Sequence, residues 1–139
     1  MRRLLLAMVF ATTSVPLTAA PCFACSCAPK RSDQTQQEFR EEQAKNADAV
    51  FTGRVWKVRG EYGGQENIEA VFWVEDAYKG TRRHRVTVTT SSEGSICGYH
   101  FAEGKRYTVF GDGKGSKRFS THSCSATQRG RINPERYGL

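Results

Sequence analysis

Cys25-Ser26-Cys27-Ala28-Pro29 is the stretch of this chain with the most chemical potential. A cysteine can ligate a metal, exchange with another thiol or close a disulfide. Cys25 and Cys27 are separated by one residue, and each can bond a different partner. One short segment can therefore be tied to two different places. Cys97 and Cys124 are the available anchors, and Cys22 is the fifth cysteine. Four cysteines in two disulfides allow three connectivities. A tetrathiolate zinc site is the rival arrangement. An oxidising compartment and the wide gap between Cys27 and Cys97 favour disulfides. Thiol exchange has little support, because no thioredoxin-like βαβ pattern surrounds the pair. Loops of this length lose roughly 4 to 5 kcal/mol of unfolded-state entropy per bond, an upper figure.

The other candidates are weaker. His84, His100 and His122 share no metal-ligand spacing and read as surface or packing histidines. No nucleophile elbow, phosphate loop or zinc-protease helix motif is present, so no enzyme and no cofactor are expected. Three basic clusters stand out: Lys79, Arg82, Arg83, His84 and Arg85; Lys114, Lys117 and Arg118; Arg129, Arg131 and Arg136. Each reads first as solvated, solubilising surface. The functional alternative is attraction to a polyanion such as a cell-surface polysaccharide or lipid headgroups. Nucleic acid is a poor partner for an exported chain.

Export is the expectation from the N-terminus. Arg2 and Arg3 precede an apolar run from Leu4 to Ala11, followed by small and polar residues, which is the order of a signal peptide. The run is too short to span a bilayer, and no later segment is long and apolar enough, so no membrane span is expected. Cleavage after Ala24 makes residues 1–24 the signal, leaves Cys25 first and leaves an even four cysteines. Cleavage after Ala20 puts Pro21 first and leaves five. Parity favours the later cut. A secreted protein, extracellular or periplasmic, follows.

The whole chain has 139 residues, 38% hydrophobic and 25% charged, with a formal charge of +7. That suits one small globular domain. A Gln- and Glu-rich surface helix capped by Ser32 or Asp33 is expected to run to about Asn46. Period-two patterns then predict strands over 49–58, 68–75, 86–90 and 106–110, with a last one from Phe119 to Cys124. Glycines at 60, 63 and 64, at 80, at 94 and at 111, 113 and 115 separate them. Residues 128–139 read as a polar, basic, loosely held tail. About five short strands and one early helix suggest a small barrel or a sandwich.

Several of these features together resemble the tissue inhibitors of metalloproteinases. Cys25-Ser26-Cys27-Ala28-Pro29 is similar to that family's mature N-terminus. Asn46-Ala47-Asp48-Ala49-Val50 is similar to its entry into the first strand, and Tyr78-Lys79-Gly80 to a strand-ending turn. Ile96-Cys97-Gly98, Gly104 to Gly111 and Thr121 to Cys124 match its second half in order and spacing. The similarity covers almost all of residues 25–127, and the wider grouping is the netrin-like domain. The resemblance implies a mainly β, five-stranded OB-type barrel with an early surface helix, and disulfides Cys25–Cys97 and Cys27–Cys124. It also implies a partner, a zinc metalloproteinase, whose catalytic zinc is chelated by the amine and carbonyl of Cys25. Ser26 would enter the specificity pocket, Cys27, Ala28 and Pro29 would line the cleft, and Ser95 and Ile96 would complete the edge. The sequence departs from the family in lacking cysteines for the third disulfide of this domain. The alternative is a non-inhibitory netrin-like binding module attached to polyanionic surfaces or extracellular proteins. A monomer is expected in either case.

Overall fold

The computed structural model describes residues 25–139. The expected signal peptide, with its cut after Ala20 or Ala24, and Cys22 lie outside the described residues.

Helix α1 spans Gln36–Asn46. Its cap is Thr35, not Ser32 or Asp33: the Thr35 hydroxyl accepts from the Glu38 backbone N–H, and the Glu38 carboxylate accepts from the Thr35 N–H. This reciprocal capping box satisfies two donors that a helix start otherwise leaves open. At the other end, the Lys79 ammonium donates to the carbonyls of Ala44, Lys45 and Ala47, at 3.0, 2.9 and 2.6 Å. A cation on the last carbonyls also suits the helix dipole.

Six strands follow: β1 Ala49–Arg59, β2 Ile68–Lys79, β3 Arg85–Thr90, β4 Arg106–Gly111, β5 Arg118–Ser120 and β6 Gln128–Arg129. They form one sheet in the order β5-β3-β2-β1-β4-β6. All neighbours are antiparallel except β3 and β5, so the sheet is mixed, and it is not closed. Five strands were expected; the sixth is the two-residue β6, which pairs with Tyr107 and Thr108 of β4. β5 is shorter than expected and stops at Ser120. Beyond it the Ser125 backbone N–H and hydroxyl both donate to the His122 carbonyl, which turns the chain and leaves Cys124 in a loop. A single antiparallel bridge, Asp112 with Ser120, joins the residue after β4 to the end of β5.

The principal core takes side chains from five strands: Phe51 and Val55, Ala70 and Phe72, Val86 and Val88, Tyr107 and Val109, and Phe119. Phe101 completes it. Phe72 meets Phe101 edge-on at 5.2 Å, and Phe101 meets Tyr107 at 5.1 Å. Each fully buried ring contributes about 2 to 3 kcal/mol. A second cluster, built on Ala44, Ala47, Val50 and Phe110, docks α1 and the C-terminal segment. Residues 128–139 are therefore held: Tyr137 packs against Phe110 with ring centroids 5.1 Å apart, and Ile132 and Leu139 pack alongside. Gly80 marks the turn after β2. Its φ is +74°, and a Cβ there would collide with the Asp48 carbonyl oxygen.

On the outer face, Glu75 collects three arginines. Arg106 approaches it through Nε at 2.6 Å and Nη2 at 3.2 Å, Arg131 at 2.9 Å and Arg54 at 3.7 Å. The hydrogen bond from Arg106 holds the Glu75 carboxyl below its ordinary range, against a smaller opposing effect of burial. The folded state thus favours the carboxylate. That contribution is complete above the ordinary carboxylate range and is lost as pH falls through the depressed folded value. Glu75→Gln is expected to lower stability at neutral pH, with the gap to the parent closing as the pH is taken down. Chemical denaturation at neutral and acid pH checks this; a pH-independent gap contradicts it.

Candidate functional site

Residues 25–30 have no regular secondary structure, and they are fixed by their cysteines. Cys25 is bonded to Cys97 and Cys27 to Cys124, with Cα separations of 5.0 and 5.1 Å. Both bonds are long-range, spanning 72 and 97 residues. Cys97 closes the short 3-10 turn Gly94–Ile96, donating its N–H to the Gly94 carbonyl. It sits at φ 64°, the single left-handed non-glycine among the described residues. Gly98 follows because a Cβ there would strike the Ser91 carbonyl oxygen. The Ser123 N–H donates to the Cys97 carbonyl at 2.8 Å, so the loops bearing Cys97 and Cys124 are tied to each other as well as to the N-terminal segment.

The two disulfides meet. Cys25 Sγ lies 3.5 Å from Cys124 Sγ and 3.4 Å from Ser123 Oγ, and Cys97 Sγ lies 3.8 Å from Cys124 Sγ. The Sγ atoms of Cys25, Cys27 and Cys124 fall within 4.8 Å of one another. All are consumed in disulfides and offer no thiolate, the form that binds zinc.

This arrangement gathers the residues singled out in the sequence. Cys25 is half-buried, while Ser26, Cys27, Ala28 and Pro29 are exposed. Ser95 and Ile96 belong to the turn that the Cys25–Cys97 bond holds beside them, and Ile96 is 63% exposed. The result is an exposed run, Ser26 to Pro29, that starts from a half-buried, disulfide-anchored Cys25, with the exposed Ile96 on the turn bonded to it.

Sequence reasoning missed an aromatic cluster beside the Cys97 turn. Tyr62 stacks on His100 with ring centroids 4.0 Å apart, and its hydroxyl donates to the Phe101 carbonyl and accepts from the Phe101 N–H. Burial pushes its phenol pKa up. Tyr62, His100, Tyr99 and Glu93 line a cleft of about 480 Å³ beside the Cys97 turn. The Tyr62 signal was masked by its setting in a glycine-rich loop. The three histidines are all exposed, and none joins a candidate metal cluster among the described residues.

The basic clusters differ from one another. Arg118 is paired with Glu69, and Arg131 with Glu75 and Asp76. Among the described residues, Arg82, Arg83 and Arg85 have no acidic partner within ion-pair distance. Arg82 and Arg83 border a cleft of about 820 Å³ with Thr81 and Ser116.

Neither the family models nor the curated proteins compared with this chain give a match.

Non-reducing peptide mapping of the unreduced protein is expected to link the peptides of Cys25 with Cys97 and of Cys27 with Cys124. The double variant Cys27→Ser/Cys124→Ser should lose roughly 2 to 5 kcal/mol of stability. Free thiols or bound zinc in the native protein contradict this arrangement.

Proposed function

We propose that the protein is an exported inhibitor of zinc endopeptidases, resembling the inhibitory domain of the tissue inhibitors of metalloproteinases. The observation that carries the reading is the anchoring of Cys25 beside the 94–97 turn through the Cys25–Cys97 disulfide. In this reading residues 1–24 are removed, and Cys25 becomes the first residue. Its α-amine and carbonyl take the coordination position that a catalytic zinc keeps for water. An α-amine has an ordinary pKa of about 7.7 to 8.0, so a fair fraction is neutral and able to ligate near neutral pH. Two ligand atoms on a residue already fixed by a disulfide, with Cys27 fixed two positions on, lose little further freedom on binding. Ser26 then enters the specificity pocket, Cys27, Ala28 and Pro29 run along the cleft, and Ser95 and Ile96 extend the contact.

The same reading makes the domain an OB-type barrel of five strands, β1 to β5, with β6 as an accessory edge. The shared core from β1 to β5 and the Asp112–Ser120 bridge support it. A secreted location, extracellular or periplasmic, is supported by the disulfides, and no helix among the described residues is long and apolar enough to cross a membrane.

A second reading, a binding module for polyanionic surfaces, is favoured by one observation: among the described residues, Arg82, Arg83 and Arg85 have no acidic partner within ion-pair distance.

Adding one Ala before Cys25, or acetylating its amine, removes the zinc ligand and crowds the metal while sparing both disulfides. Inhibition across a panel of zinc endopeptidases should fall by orders of magnitude, with thermal stability nearly unchanged because the alteration lies at a terminus. Ser26→Gly should give a smaller loss. An Ala-extended form that inhibits as well as the parent contradicts zinc chelation. If neither form inhibits any member, the binding-module reading takes its place.

A further inference from the structure

The outer face of β1 to β3 carries two tryptophans that the core does not use. Trp56 is 52% exposed and Trp73 47% exposed, with ring centroids 6.3 Å apart and planes inclined at 57°. The register explains how both reach the same surface. Trp73 pairs with Arg54 on β1 and Arg85 on β3, and Arg54 pairs with Arg106 on β4. A row Arg106-Arg54-Trp73-Arg85 therefore crosses four strands. Trp56 is the extra residue of a bulge: Val55 pairs with Phe72 and Lys57 with Val71, leaving Trp56 without a partner across β2. A bulge re-aims a side chain in this way. Gly53 permits the close approach of the strands here, since a Cβ would lie 2.6 Å from the Trp73 carbonyl oxygen.

Charge on this face is unevenly compensated. Arg54 and Arg106 share Glu75 with Arg131, which also reaches Asp76, and Arg59 and Arg118 share Glu69, so each of these arginines has a carboxylate beside it. Arg85 has no carboxylate within ion-pair distance among the described residues; its guanidinium carbon lies 5.9 Å from the Trp73 ring centroid. The uncompensated charge beside the tryptophan pair is thus cationic, and it sits over an aromatic face.

We propose that Trp56, Trp73 and Arg85 form a binding platform for an acidic polysaccharide. The flat indoles stack on the apolar C–H faces of adjacent pyranose rings, and Arg85 takes a carboxylate or sulfate borne by the sugar. This inference rests on the polyanion reading and moves the specific contact from the 82–83 cleft to the sheet face. It uses no residue of the Cys25 edge, so it is compatible with the inhibitor reading. The apolar part of the patch is two rings bordered by guanidinium groups, too small and too charged to enter a bilayer. The disulfides suit an oxidising compartment outside the cytosol, which favours an acidic polysaccharide over nucleic acid as the partner.

The protein's own fluorescence provides the test, because Trp56 and Trp73 are the only two tryptophans in the chain. Titrating the disulfide-bonded exported protein with heparin (sulfate and carboxylate) and polygalacturonate (carboxylate alone) distinguishes the two anionic groups. Neutral dextran, single-stranded DNA and anionic phospholipid vesicles are the controls. The emission is expected to shift with one or both acidic polysaccharides, to reverse with salt and to stay unchanged with dextran. On immobilised polysaccharide, Trp56→Ala, Trp73→Ala and Arg85→Ala should each weaken binding about tenfold, while Arg82→Ser/Arg83→Ser retains the fluorescence shift. Circular dichroism confirms that the tryptophan variants are folded. Parent-like binding by both tryptophan variants, with loss in Arg82→Ser/Arg83→Ser, overturns the platform and leaves polyanion attachment standing. Absence of binding to either polysaccharide overturns both. A shift with DNA or vesicles and none with polysaccharide also overturns the proposal.

Discussion

Two disulfides on one three-residue segment organise this domain. Cys25 and Cys27 each reach a different loop, one ending in Cys97 and one containing Cys124, while their Sγ atoms stay within 4.8 Å of each other. Neither loop is a regular element. The first is a single 3-10 turn closed by a cysteine in left-handed backbone, and the second is the turn after β5. The Ser123-to-Cys97 backbone hydrogen bond and the contact between the two disulfides make the three segments one unit. The exposed edge from Ser26 to Pro29 inherits its shape from that unit. Rigidity at an otherwise loose terminus is what the chelation proposal needs, since a mobile amine would lose most of its binding energy to ordering.

The sheet provides the frame on which that unit is mounted. β1 is central, with β2 on one side and β4 on the other, and its Phe51 meets Phe72 and Phe119 from different strands. Helix α1 is short on apolar residues and is secured by other means: the Thr35–Glu38 capping box at its start, the Lys79 ammonium on its last carbonyls, and the C-terminal residues against its flank. Lys79 thus belongs to the helix, although it sits in a basic cluster in the sequence. No buried side-chain nitrogen or oxygen among the described residues lacks a hydrogen-bond partner, as expected of a consistently packed interior.

Signals sustained over many residues were legible in the sequence and brief ones were not. The alternation of Ile68, Ala70, Phe72 and Val74 marks β2, and the helix, though weakly amphipathic, is marked by its composition. The helix start was misplaced by two to three residues because Ser32, Asp33 and Thr35 all can cap; the Glu three positions after Thr35 was the deciding clue. Residues 128–139 looked polar because their apolar anchors, Ile132, Tyr137 and Leu139, are spread over a two-residue strand and one 3-10 turn, which have no period to detect. The sequence places Trp56 and Trp73 on strands, and only the pairing register reveals the bulge that brings Trp56 out. The cysteine pairing came from the family resemblance; spacing alone left three connectivities open.

The inhibitor account stands on Cys25 being the first residue of the exported protein, with a free amine. Intact mass of the natively exported, unreduced protein measures this directly. The account predicts a chain beginning at Cys25 with both disulfides formed and no modification of the amine. A mass corresponding to a start at Pro21, or at any residue before Cys25, would leave an amide nitrogen where the zinc ligand should be and would contradict it.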